Sequence, residues 1–494
     1  MRQTEMTHVL GIDVSTTATK AVVVDERGRV VESASSSYDL STPRPLWAEQ
    51  DPELWWTAAV EAIRQLTVDP ASIAAVGLTG QMHGLVLLGD GGEILRPAIL
   101  WNDQRSAAQC DQMRNRLGLA ELVRITGNDA FPGFTAPKLL WVREHEPDVY
   151  RRIAQVLLPK DYVRCKLTGG YATDRAGAGG TLFLDLESRD WSRPLLDAFV
   201  IPPAWLPKTH EGTEVTGRVS AEAAAATGLR PGTPVVGGGG DQAAQAVGVG
   251  AVEAGVVALT VGTSGVVFAS ADRPLVEPRG RLHAFPHAVP GKWHVMGVML
   301  SAAGSLRWYR DVVAPEVDFD ALVAEAAAVE PGAEGLTFLP YLSGERTPHA
   351  DPHARGAFVG LTLKHGRGHL TRAVLEGVAF GLRDNLALMA EVGLGDVGEV
   401  RISGGGVQSG LWRQILADVL GVELVAVGTV EGAAFGAALL AGVGAGVWET
   451  VEEACGEAVE LGERTRPGAE GAAAYEVLYR RFREHYPALR PLFT

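Results

Sequence analysis

Cysteine is scarce in this chain: three in 494 residues, Cys110, Cys165 and Cys455, far apart and without a C-x-x-C pair. That argues against a disulfide framework or a structural zinc site and for free thiols in a reducing cytoplasm. No run of Lys and Arg occurs, and the formal net charge is −15. This argues against nucleic-acid and anionic-membrane partners, while leaving room for an anionic small ligand held by backbone amides. No apolar run is long and clean enough to span a membrane. The most apolar stretch, 251–270, carries Glu253, several glycines and Ser/Thr, and reads as buried strands and a turn. The first seven residues lead into a strand-like segment with no signal-peptide core. Also missing are G-x-x-x-x-G-K-[ST] and a G-x-G-x-x-G opening the first βα unit, so any nucleotide here is not held in P-loop or Rossmann fashion.

What is present is ordinary globular composition, 46% apolar, in a chain long enough for two to three domains. Residues 9–14, 20–24 and 30–33 read as consecutive antiparallel strands, with a turn at 25–29. Residues 53–66 have helical spacing, with Asp51 as N-cap and Pro52 at the first helical position. A buried strand at 73–78 leads to Gln81-Met82-His83-Gly84. Strands alternating with helices imply an α/β class. A second strand–turn–strand opens at 256–261, turns at Gly262-Thr263-Ser264-Gly265 and continues at 266–269. It parallels 9–17 and reads either as a degenerate duplication or as chance recurrence. Gly237-Gly238-Gly239-Gly240 is either a linker between halves or a place where backbone meets a ligand closely. Asp241 follows at the N-terminus of a helical run, 242–247. The tail reads as a helix over 472–485 that stops before Pro487.

Several segments have the residue types that chemistry needs. Asp13 ends a buried strand, and Ser15, Thr16 and Thr17 follow. Hydroxyls and turn amides there suit phosphate oxygens, the carboxylate suits Mg²⁺, and Lys20 adds a cation. An ordinary hairpin rich in Asx, Ser and Thr fits equally well. Gly262, Thr263 and Ser264 form a matching turn. Gly404, Gly405 and Gly406 follow a strand at 400–402 and would let a flat ring lie on backbone, with Gln408, Ser409 and Trp412 nearby. Asp241 suits a general base that orients and deprotonates an acceptor hydroxyl, or a helix cap, or both. Met82 and His83, with Trp101, Asp103 and Arg105, offer the apolar wall and directional hydrogen bonds of a polyol site. A satisfied loop histidine and a surface Asp–Arg pair are the plainer reading.

These segments together resemble the FGGY family of carbohydrate kinases, which share the actin-like ATPase fold. Gly133-Phe134-Thr135-Ala136-Pro137-Lys138-Leu139-Leu140-Trp141-Val142-Arg143-Glu144-His145 is similar to one family signature. Gly356-Ala357-Phe358-Val359-Gly360-Leu361, continuing to Glu376, is similar to the other. Within the family, Gly80-Gln81-Met82-His83-Gly84, Ile99-Leu100-Trp101-Asn102-Asp103, Leu157-Leu158-Pro159-Lys160-Asp161-Tyr162 and Leu339-Pro340-Tyr341-Leu342-Ser343-Gly344-Glu345-Arg346-Thr347-Pro348 resemble the kinases of D-xylulose.

The resemblance implies two tandem actin-like ATPase (ribonuclease H-like) domains with a cleft between them: 1–248 sugar-binding and 249–494 nucleotide-binding. It implies ATP and Mg²⁺ as cofactors and D-xylulose as substrate, phosphorylated on its 5-hydroxyl. Asp241 is then the base and Asp13 the carboxylate near Mg²⁺. Met82, His83, Trp101, Asp103, Asp241 and Gln242 face the sugar. Thr16, Thr17, Lys20, Gly262, Thr263, Ser264, Gly404, Gly405, Gly406 and Gln408 face ATP. The small residues from Gly432 to Ala437 let the halves approach, and a homodimer is a family expectation. Two positions depart from the family pattern: Ser15 stands where Gly is usual, and Gln242 where Asn often follows the catalytic Asp. The alternatives are a kinase of ribulose, gluconate or fuculose, a non-kinase actin-like ATPase, and a silent sugar sensor.

Overall fold

The computed structural model describes residues 6–428 and 431–493; the signal-peptide reading of the first seven residues falls mostly outside them. Two seven-stranded mixed sheets carry the fold. In the first half, β1 (His8–Val14), β2 (Ala18–Asp25) and β3 (Val30–Ser37) form an antiparallel meander. The expected helix follows as α1 (Pro52–Arg64), with Asp51 at the N-cap accepting from the Glu53 amide at 3.0 Å. The chain returns as β4 (Ile73–Gly80), parallel to β1, which sets Thr79 beside Asp13. After α2 (Thr135–His145) and α3 (Pro159–Thr168), the strands β5 (Val215–Arg218), β6 (Pro234–Val236) and β7 (Gly239–Gly240) complete the sheet. Its order is β5-β6-β4-β1-β2-β3, with β7 on β4. The central strands are buried, which is why β1 and β4 read as nearly continuous apolar runs.

The Gly237–Gly240 segment is therefore not a linker. Gly239 pairs with Thr79 in the sheet, and Gly238 has φ +66°, with any Cβ falling 1.7 Å from the Leu78 carbonyl oxygen. Only glycine fits there.

The second half begins after α4 (Asp241–Gly248). Its strands are β8 (Val256–Val261), β9 (Gly265–Ala271), β10 (His283–Pro286) and β11 (Trp293–Met299), then β12 (Glu399–Ser403), β13 (Leu424–Val427) and β14 (Leu461–Thr465). Its helices are α5 (Ala303–Val313), α6 (Arg367–Glu391), α7 (Gly410–Leu420), α8 (Gly432–Gly444) and α9 (Ala469–Leu489). The order is β10-β11-β9-β8-β12-β13-β14. Here β8 lies between an antiparallel β9 and a parallel β12, just as β1 lies between β2 and β4. The strand–turn–strand recurrence is thus part of a repeated sheet, and the halves form the expected pair of actin-like ATPase units.

Two helices cross where the halves meet. Helix α8 belongs to the second half but lies on the first sheet. A Cβ on Gly11 would sit 1.9 Å from the Ala434 carbonyl oxygen, and one on Gly77 1.9 Å from that of Ala437. Helix α4 closes the first half, yet Ala246 packs in one cluster with Ala258 and Phe268 of the second sheet. At the crossing, a Cβ on Gly436 would lie 1.8 Å from the Ala244 carbonyl oxygen. The tail differs from expectation: α9 runs through Pro487 to Leu489. Pro487 sits in the last turn, where only one intrahelical bond is lost and the helix is already ending. Residues 256–271 are two strands, and among the described residues no helix is long and apolar enough to cross a membrane.

Candidate active site

Two carboxylates meet at the ends of β1 and α4. Asp13 pairs across the hairpin with Lys20, and its Oδ1 is buried with no hydrogen-bond partner among the described residues. Burial, then the nearby charge of Asp241, raises its pKa to about 7, with Lys20 opposing. Asp241 is the first residue of α4; the N-cap itself is Gly240, which corrects the expectation of a capping Asp. Its Oδ1 accepts from the Gln242 amide at 2.7 Å. Burial raises the Asp241 pKa to about 6, and hydrogen bonds from the Gln242 main chain and side chain work against that rise. Such a carboxylate is ionised at neutral pH and still basic enough to accept a proton.

The donors around Asp13 bear on Mg²⁺. Among the described residues no group of three or more His, Cys, Asp or Glu side chains could hold a metal. A single orphaned carboxylate oxygen fits a hard cation that keeps its waters and shares phosphate oxygens, rather than a protein cage.

The turn after Asp13 settles the question raised by Ser15. Its amide and its Oγ both donate to the Ala18 carbonyl, at 3.0 and 2.8 Å, and its own carbonyl accepts from Tyr38 Oη at 2.6 Å. Ser15 does not adopt a positive φ, so the glycine usual at this position is not needed here. Thr16 Oγ1 accepts from Trp101 Nε1 at 3.0 Å, and Thr17 is exposed. Lys20 is not free to act as an uncommitted cation: its ammonium reaches Glu431 of the other half at 2.8 Å.

The second half supplies a cavity of about 590 Å³. Gly262, Thr263, Gly405, Gly406, Gln408 and Trp412 are among its lining residues. Here the structure brings together turns that are some 140 residues apart in sequence. The Gly262–Ser264 turn is fixed by α5, whose Ala303 amide donates to the Gly262 carbonyl at 2.8 Å. Ser264 and Gly404 stand beside the cavity rather than in its lining. Gly404 has φ +98°, and a Cβ would come within 2.6 Å of the Val261 carbonyl oxygen, so glycine is required for the chain to leave β12 at this angle. Glycine edges and an indole floor suit a flat heteroaromatic ring.

In the first half a wall is built around His83. Met82 packs on Gly240, where an added Cβ would meet its Cγ at 2.8 Å, so Met82 lies over the residue preceding Asp241. His83 has a left-handed backbone, φ +69°. Its carbonyl accepts from Thr135 Oγ1 at 3.0 Å and from Lys138 Nζ at 2.9 Å. Its Nδ1 lies 2.7 Å from the Gly180 carbonyl oxygen, to which only a protonated nitrogen can donate, leaving Nε2 as an acceptor. Burial, with Lys138 and Arg346 adding to it, pushes the ring to about 3, so it stays neutral. Phe134 meets it edge-on at 4.5 Å. Thr135 and Lys138 lie inside the quoted signature, yet sequence alone did not single them out, because their partner is 52 or more residues away. Trp101 is 46% exposed beside Thr16.

Asp103 is committed to partners within the first half. It is 0% exposed, and its carboxylate accepts from Arg105 Nη2 at 2.7 Å and from the Ala48 amide at 2.7 Å. It holds Arg105, whose guanidinium lies 3.7 Å over the Trp47 ring.

Residues 8–248 match the FGGY family of carbohydrate kinases, N-terminal domain, and 257–445 match its C-terminal domain. A xylulose kinase of Escherichia coli is 44% identical over 488 residues, 98% of this chain and 100% of that one. A gluconokinase of Bacillus subtilis is 32% identical over 446 residues, 88% of this chain and 86% of that one. A crystal structure of a xylulose kinase from Brucella ovis superposes with a TM-score of 0.93 at 41% identity, covering 98% of this chain and 100% of that one. The chain belongs to the FGGY family of carbohydrate kinases.

Proposed function

We propose that this enzyme transfers the γ-phosphoryl group of ATP to the 5-hydroxyl of D-xylulose, with Asp241 as general base. The observation that carries this reading is the meeting of two buried carboxylates, Asp241 and Asp13, with Met82 packed on the residue that precedes Asp241. A hydroxyl held against Asp241 gives up its proton to a carboxylate of pKa about 6. Met82 and the neutral His83 orient the sugar, and Gln242 steadies the Asp241 carboxylate. Thr16, Thr17 and the Gly262–Ser264 turn offer donors to phosphate oxygens, and Gly404, Gly405, Gly406 and Gln408 border the nucleotide ring. Asp13 would hold Mg²⁺, which when bound neutralises charge on the phosphates during transfer. Lys20 serves the phosphates only by leaving Glu431.

On this reading residues 1–248 bind sugar and 249–494 bind nucleotide. The halves close about the α4–α8 crossing, which excludes water from the transfer. A cytoplasmic homodimer is the setting we propose. The B. subtilis gluconokinase supports a second reading, a kinase of another polyol. A coupled ADP-release assay over D-xylulose, D-ribulose, L-fuculose and D-gluconate separates the two. The expected result is a kcat/KM for D-xylulose at least about tenfold above the others. No turnover of D-xylulose, or comparable efficiency on several acceptors, overturns the assignment.

A further inference from the structure

We infer that Arg346 binds the carbonyl end of the sugar and sets the enzyme's preference for a ketose, an inference that rests on the D-xylulose reading above. Arg346 lies in a loop of the second half that is pinned to the end of β11. The Thr347 amide donates to the Val298 carbonyl at 3.0 Å, and Glu345 Oε1 accepts from the Leu300 amide at 3.0 Å and from the Arg346 amide at 2.8 Å. From there the guanidinium reaches the first half, 5.5 Å over the ring of Phe131. Phe131 lies 6.0 Å from Phe134 and 5.6 Å from His283, and Phe134 is the ring against His83. The charge of Arg346 acts on both His83 and His283.

Arg346 differs from the enclosed arginines. Arg96, Arg105, Arg164 and Arg372 each hold a carboxylate. Arg346 forms no ion pair among the described residues. Its neighbour Glu345 is pushed by burial to about 8 and is largely neutral at pH 7. Arg346 is itself half-buried; a half-buried cation without a partner is costly, and the cost falls when a ligand supplies acceptors.

The placement says which acceptors. Gly240 and Met82 join Asp241 to His83, and Phe134 and Phe131 join His83 to Arg346, so the proposed base and Arg346 flank His83 along this chain of contacts. With the 5-hydroxyl at Asp241, the other end of the chain faces Arg346. A guanidinium has only donors, arranged in a planar fork. Two adjacent oxygens, the C2 carbonyl and the C1 hydroxyl of a 2-ketose, match that fork. A pentitol has an sp³ hydroxyl at C2 and loses the in-plane acceptor.

The test uses the full-length enzyme with Arg346→Met and Arg346→Lys, D-xylulose as substrate, and xylitol, its ketone-reduced counterpart, as competing ligand. The expected result for Arg346→Met is a KM for D-xylulose raised about 10- to 100-fold, with kcat changed less than about threefold. The inhibition constant of xylitol should move less than about threefold, and Arg346→Lys should recover part of the loss. The thermal midpoint should not fall, because no ion pair is lost. An unchanged KM for D-xylulose overturns the inference, as does equal weakening of both ligands. Where xylitol does not compete even with the unaltered enzyme, a raised KM with an unlowered midpoint supports the inference, and any other combination overturns it. Should the unaltered enzyme prefer D-gluconate, the xylulose reading fails by itself. The role of Arg346 then stands only if the KM for gluconate, which carries a carboxylate at the same end, rises in Arg346→Met.

Discussion

The two halves carry the same strand–turn–strand at their centres and use it differently. In the first, Asp13 lies one residue before the end of β1, and its parallel neighbour is Thr79. In the second, Thr260 lies one residue before the end of β8, and its parallel neighbour is Ser403. Thr260 Oγ1 lies 3.2 Å from Ser403 Oγ and accepts from Gln245 Nε2 at 3.2 Å. Asp13 Oδ1 and Thr79 Oγ1 are buried and have no partner among the described residues. One position is neutral and satisfied, as structure requires; the other is ionisable and unsatisfied, as a ligand site requires. The repeat explains the fold, and the broken equivalence within it marks the site.

The comparison can be broken from its charged side first. Asp13→Asn keeps the size and removes the charge, and should lower kcat about 100- to 1,000-fold in a steady-state assay. The same variant should be more stable than the parent at alkaline pH. The folded state holds the Asp13 proton up to about 7, whereas the unfolded chain releases it near 3.8. Native Asp13 therefore takes stability away as pH rises through that window, and the amide avoids this. A gain on the order of 4 kcal/mol at about pH 8, shrinking to nothing near pH 4, should appear in denaturant titrations. A gain that grows as pH falls would contradict the sign.

Next in size is the helix crossing that joins the halves. Gly436→Ala places a methyl against the Ala244 backbone, and should cost about 2–3 kcal/mol in the same titrations. Stability within about 0.5 kcal/mol of the parent would show that the helices slide apart freely. The smallest effect belongs to the satisfied equivalent of Asp13. Thr260→Val should cost about 1 kcal/mol and leave kcat within about threefold. A large loss of turnover there would mean that the second turn does chemistry as well as support.

Much of this was legible in local sequence. Asp51 and Pro52 announced α1, and residues 256–261 and 266–269 announced β8 and β9. Two of the glycines after β12, Gly405 and Gly406, line the cavity, and Asp241 opens α4 as its position before a helical run suggested. What local pattern could not show were partners distant in the chain. Lys20 is held by Glu431, Asp103 by Arg105 under Trp47, and the His83 carbonyl by Lys138. Gly237–Gly240 read as flexible because four glycines remove side-chain signal, while the structure uses that absence to lay backbone against β4. Pro487 read as a stop because the rule for helix interiors does not apply to a final turn.

The account turns on Asp241 as the group that takes the acceptor proton. Asp241→Ala should be assayed for D-xylulose phosphorylation beside calorimetric binding of ATP. The account predicts turnover reduced at least about 1,000-fold with ATP affinity within about threefold of the parent. Near-normal phosphorylation by Asp241→Ala would contradict it.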